Sequence, residues 1–192
     1  VLVIADESAN PKFVAADLLS QAEHGPDSQV LLITDSMSLA DSAMEAVKRE
    51  LEKLPRREIA TAALSKSNIV VVPDLDTAAA VSNRYAPEHL ILQVKDPDAY
   101  IDRLHNAGSI FVGSFTPESL GDYASGTNHT LPTYGYAKTF SALGTDDYRR
   151  RYTIQRATQE GLRQISSTVQ TLARAESLEA HRLAVAVRIG DE

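Results

Sequence analysis

Four pairs of polar side chains have the types and spacing to do chemistry: Gln21 with His24, Glu88 with His89, Asp122 with His129, and Glu176 with His181. Gln21 and His24 are three residues apart, so on a helix both lie on one face. An amide oxygen and an imidazole so placed could ligate a metal or a substrate. They could equally form a solvated helix end, where the helix dipole favours His24. Glu88 and His89 put a carboxylate beside an imidazole. That is a natural general acid/base pair, because histidine titrates near neutrality and glutamate can activate water. The same dipeptide is also common in purely structural settings. Asp122 and His129 stand in a stretch rich in Gly, Ser and Thr, and their donors suit zinc. Gly121 and Gly126 either let the backbone approach a ligand or make turns. Glu176 and His181, five residues apart, do not strictly share a helix face. A break near Ser177 would bring them together, and an ordinary charged helix junction is the plain alternative. His105, beside Arg103 and Asn106, reads as surface.

Composition narrows the chemistry. The 192 residues contain no cysteine, so disulfides, thiolate nucleophiles and Cys-based zinc sites are excluded. Any metal must be held by nitrogen and oxygen donors. A cytosol-like compartment fits. The formal net charge of −7 repels phosphate backbones and anionic lipid, which argues against nucleic acid or membrane as the main partner. No apolar run approaches the roughly 18 residues of a membrane span. Hydrophobic residues make up 43%, enough for a core.

These residues need elements to position them, and the pattern supplies an alternating set. Strands are expected at 1–5, 30–34, 69–72, 90–92 and 110–112. Helices are expected from Pro11 to about His24, from Ser38 to about Leu54, and over 58–64, 75–85 and 99–106. Strand–helix alternation with short, continuous apolar strands predicts an α/β fold, a Rossmann-like sandwich with helices on both faces of a parallel sheet. Ligands in such sheets sit beyond the C-terminal strand ends, so the loops after the strands are the expected site. Residues 117–143 read as a long loop, of a length that is usually functional. A strand is expected near 148–155, then helices over 159–175 and from 178 to about 188. The division is drawn as an α/β domain over 1–143 and a helical tail over 144–192. The chain opens inside a strand, with no initiator Met and no leader, and is expected to be a piece of a longer protein. From the residues alone, an N/O-ligand metalloenzyme is favoured over a binding module.

The strings Asp17–Gly25, Pro87–Leu90, Gly121–His129, Leu131–Gly135 and the Ala175–His181 tail resemble the histidinol dehydrogenase family, in order and over the whole chain. The resemblance implies oxidation of L-histidinol to L-histidine through histidinaldehyde, with two NAD and a bound Zn2+. Gln21, His24, Asp122 and His181 match the zinc ligands. Glu88 and His89 match the catalytic pair. Glu176 matches a substrate-contacting carboxylate, and Gln21, His24, His89, Asp122 and His181 also match substrate contacts. His89 would take the alcohol proton, and Glu88 would activate water on the aldehyde. The resemblance also implies a zinc and substrate role for the 1–143 domain and dimerisation for the 144–192 tail, and the family's homodimer implies that Glu176 and His181 serve the partner's site. Cytoplasm is implied, or a plastid in a plant. No Gly-x-Gly-x-x-Gly fingerprint occurs, and the NAD contacts are expected in an absent N-terminal half. The isolated chain is therefore expected to be inactive. A zinc hydrolase using Glu88, or a silent homologue acting as a binding or dimerisation module, stays open. So do the roles of Ser125, Thr127 and His129.

Overall fold

The computed structural model describes residues 1–191 and divides into two compact units, Val1–Tyr148 and one that starts at Arg149. The first unit is α/β. Its strands are β1 (Leu2–Ala5), β2 (Leu31–Thr34), β3 (Asn68–Val71), β4 (His89–Gln93) and β5 (Ser109–Val112). All pair in parallel, in the order β3-β2-β1-β4-β5. The central strands β1, β2 and β4 are buried throughout, which is why they read as unbroken apolar runs.

Alternation along each strand sends side chains to two cores. On one face Val3, Leu32, Ile91 and Phe111 meet Val14 and Leu18 of α1 (Pro11–Ala22), Leu39 and Ala43 of α2 (Met37–Leu51), and Ala60 and Ala63 of α3 (Arg57–Leu64). On the other, Leu2, Ile4, Ile33, Leu90 and Leu92 meet Ala78 and Ala79 of α4 (Leu75–Tyr85) and Leu104. Helices therefore cover both faces, as the alternation implies. The starts are capped: Asn10 accepts from the Lys12 N–H ahead of Pro11, Ser36 from Leu39, and Asp74 from Thr77.

The structure corrects several sequence expectations. The expected helix over 99–106 is the single turn α5 (Asp98–Ile101). The stretch 117–143 is not all loop: α6 (Glu118–Tyr123) forms at its start, too short to show a helical period in sequence. No strand forms near 148–155, where every residue is exposed and the apolar side chains bury against nothing.

The second unit is a pair of packed helices, α7 (Gln159–Ala175) and α8 (Glu179–Ile189), turned at Ser177 in the left-handed region (φ 60°). Gln170 links its parts, donating to Asp191 and accepting from Arg182. The division falls at Tyr148/Arg149. Among the described residues no helix is long and apolar enough to cross a membrane.

Candidate active site

Six of the singled-out side chains come together in the first unit. A cavity of about 370 Å³ is lined by Gln21, His24, Glu88, His89 and Asp122, with Glu118, Tyr123 and His129. Each arrives from an element end. Gln21 lies in the last turn of α1, and His24 in the turn just past it, its N–H donating to the Gln21 carbonyl. Ala86 closes α4 in the left-handed region (φ 57°), and Pro87 prevents the helix from continuing. Glu88 follows in the bend, and His89 opens β4. Asp122 lies on α6, one turn beyond Glu118 and on the same face.

The site therefore does not lie where α/β topology predicts. His89 and Glu88 mark the N-terminal end of β4, not its C-terminal end. The reason is geometric. Helix α1 runs back from the end of β1, so its C-terminal residues Gln21 and His24 return to the edge where the strands begin.

The cavity floor is dry. His89 is 5% exposed and Glu118 2% exposed. Nδ1 of His89 lies 3.4 Å from Oε1 of Glu118. The contact is not an ion pair at neutral pH. Burial pulls His89 well below the ordinary imidazole value, so it is uncharged. Burial pushes Glu118 up to about 7, and the carboxylates of Asp122, Glu88 and Asp17 reinforce this. Nor is it hydrogen-bonded: Nδ1 of His89 and Oε2 of Glu118 are both buried without a partner. Burial also raises Glu88, and the Asp122 carboxylate adds to the shift. A half-buried glutamate with raised proton affinity suits general base and acid work near neutrality.

Behind the floor, alternation on β4 points His89, Ile91 and Gln93 to one face. Gln93 Nε2 donates to Asp17 Oδ2 at 2.6 Å, and burial pushes Asp17 up to about 6. The Phe111 ring of β5 packs on the His89 ring, with centroids 5.9 Å apart. Gly121 is required here: a Cβ would stand 2.7 Å from that Phe111 ring. Its role is close packing of α6, not approach to a ligand. Gly126 has φ +85° and open space around it, so it makes a turn.

Glu176 and His181 belong to the second unit, exposed at the α7–α8 junction, and do not line this cavity. His105 is exposed, as expected of surface. Sequence reading missed Glu118. Its only signal was a spacing of four from Asp122, which carries no weight inside a stretch read as loop.

Among the described residues no three His, Cys, Asp or Glu side chains stand close enough to hold a metal by themselves. The remaining test is donor chemistry. Oε1 of Gln21 is buried without a hydrogen-bond partner, and it shares the cavity with His24 and Asp122. An orphaned amide oxygen, an imidazole and a carboxylate fit zinc, with a position left open.

An α/β unit whose cavity combines a carboxylate–imidazole pair with nitrogen and oxygen donors belongs to the class of acid/base sites built around an N/O donor set. Comparison with known proteins specifies it further. The histidinol dehydrogenase family model matches residues 1–189. Histidinol dehydrogenase of Aliivibrio fischeri is 56% identical over 189 residues, covering 98% of this chain and 43% of that protein. That of Vibrio cholerae is 54% identical, with 98% and 44% covered. A crystal structure of histidinol dehydrogenase from Elizabethkingia anophelis matches with a TM-score of 0.97 at 49% identity, covering 98% of this chain and 44% of that one. The chain belongs to the histidinol dehydrogenase family and spans less than half the length of these relatives.

Proposed function

We propose that this chain carries the metal-binding and acid/base part of an NAD-dependent histidinol dehydrogenase that makes L-histidine from L-histidinol. The supporting observation is the gathering of Gln21, His24, Glu88, His89 and Asp122 around one cavity. Gln21, His24 and Asp122 hold zinc, and they contact histidinol with His89. By the family resemblance, His181 of a second copy completes the ligand set and Glu176 of that copy binds substrate, with α7 and α8 serving dimerisation. Bound zinc supplies a fixed Lewis-acid anchor that orients the substrate. NAD accepts hydride twice, and most of its contacts lie outside these residues.

The chain's own residues handle protons and water. His89 is neutral at working pH, so it has a lone pair for the alcohol proton as hydride leaves the carbinol carbon. The product of that step is histidinaldehyde. Glu88 then takes a proton from water as its oxygen attacks the aldehyde carbon, and His89 returns its proton to the carbonyl oxygen, giving the hydrate. Loss of hydride from the hydrate, with its proton passing to His89, yields the carboxylic acid. Burial of the floor excludes bulk water and strengthens each electrostatic contact.

Calorimetry on the chain, with and without EDTA, tests this reading. Zinc uptake with metal-dependent histidinol binding supports it. Hydrolysis of an ester or amide without NAD would replace it with the hydrolase reading. Absence of both zinc and histidinol binding from the dimer would leave a silent binding module. The isolated chain is expected not to reduce NAD, and turnover by it would sink the assignment of NAD contacts to residues elsewhere.

A further inference from the structure

The floor of the cavity holds a carboxyl whose burial needs a reason. Glu118 is 2% exposed, no cation pairs with it among the described residues, and its Oε2 has no hydrogen-bond partner. Burying a polar group without a partner costs free energy that an apolar side chain of like size would not. Its nearest polar contact is Nδ1 of His89 at 3.4 Å. That nitrogen is fully buried and has no other partner. The imidazole is confined from a second side by Phe111, and Gly121 lets α6 close on that ring. The orphaned Nδ1 thus faces Oε1 of a carboxyl whose other oxygen is also without a partner, beneath a cavity that both residues line. Hydrogen bonds of this kind are often long in ligand-free sites and tighten when substrate binds.

We propose that Glu118 is a positioning residue for His89: its carboxyl holds the imidazole through Nδ1 and leaves Nε2 to meet the substrate. The proposal rests on the reading that His89 takes the alcohol proton. A neutral imidazole has one N–H and one lone pair, and the partner of one nitrogen sets which is which. An ionised Glu118 only accepts, so it keeps the proton on Nδ1 and the lone pair on Nε2. When Nε2 takes the alcohol proton, the imidazolium forms with its Nδ1–H already facing a negative charge. The proton later leaves from Nε2, and Glu118 ends each cycle unchanged. A protonated Glu118 would donate to Nδ1 and force the opposite tautomer, which has no lone pair for the substrate. The roles match those of a buried carboxylate behind a catalytic histidine in general.

Heteronuclear imidazole NMR on the chain, together with kinetics on the full-length dehydrogenase containing it, tests the proposal. At about pH 8, where Glu118 is ionised, His89 is expected to carry its proton on Nδ1. Glu118→Gln is expected to lose that preference and to lower kcat about ten- to a hundredfold, with KM for histidinol within about twofold. Glu118→Asp keeps the charge and should recover part of both. A wild-type His89 protonated on Nε2 at that pH, or a Glu118→Gln variant with both readouts unchanged, would overturn the proposal. Thermal unfolding reports whether the variants fold. If Glu118→Gln does not, the wild-type tautomer on either side of Glu118 ionisation decides. A His89→Gln enzyme with full kcat would instead overturn the base assignment, and the tautomer result would still decide the positioning.

Discussion

The floor and the rim of the cavity follow different rules. On the floor, His89, Glu118, Asp17 and Gln93 are each under 9% exposed, and desolvation is the first cause of every proton-affinity shift there. On the rim, His24 and His129 are exposed and Tyr123 is 86% exposed. The floor side chains are set by a strand end and by helices packed on the sheet. The rim residues are set by helix ends and turns. The difference suits the two jobs proposed for these residues. A group that must move a proton gains from a fixed, dry place that tunes its affinity. A group that must admit a metal or substrate gains from access.

The sharpest way to break this distinction is to remove His89, the proposed base. In the full-length dehydrogenase, His89→Ala is expected to lower NAD reduction about 10²–10⁴-fold. An equal loss from Tyr123→Ala, on the rim, would erase the contrast. Stability should divide in the same way. Ile91 lies directly behind His89 on the same strand face and is fully buried, so Ile91→Ala should cost about 2–5 kcal/mol in urea unfolding. Phe140 is 64% exposed, and Phe140→Ala should change stability by less than about 0.5 kcal/mol. Two glycines of one string sharpen the comparison further. Gly121→Ala forces a Cβ into the Phe111 ring under His89 and should cost about 1–3 kcal/mol and disturb activity. Gly126→Ala meets nothing, so it should cost only the roughly 1–2 kcal/mol of a left-handed conformation and leave the floor intact.

A smaller effect than loss of the floor packing is a pH dependence. Asp17 titrates near 6 when folded, against an ordinary 3.8. Between those values the folded chain binds more protons than the unfolded one, so this contribution to stability falls as pH rises through the window. Asp17→Asn removes it. The stability of the variant relative to wild type should therefore rise from about pH 4 to pH 6, by on the order of 1 kcal/mol after relaxation of the site. His89 acts oppositely: its folded value lies well below the ordinary 6.5, so its contribution is present above that ordinary value and lost as pH falls. A urea midpoint difference that is flat with pH would show that Asp17 is not desolvated.

The elements were legible because their signals are local. Apolar runs such as Leu31–Thr34 and capped helices such as the one opened by Asn10-Pro11 need nothing beyond their own residues. The alternation of strands and helices then implied the parallel sheet. Family strings also marked Gln21, His24, Glu88, His89 and Asp122, which the fold gathers around one cavity. Three things were not legible. The edge of the sheet that carries the site depends on how far α1 runs back beside its strand. Glu118 became a floor residue only because a single short helix forms in a stretch read as loop, and Gly121 lets that helix close on Phe111. The proton affinities of His89, Glu118 and Asp17 depend on what surrounds them once packed, and dehydration has no signature in residue order. Sequence determines which groups and which elements are available, because capping, periodicity and side-chain type act over a few residues. Only the tertiary structure decides which groups lose their water and face one another, because that depends on contacts between residues far apart in the chain.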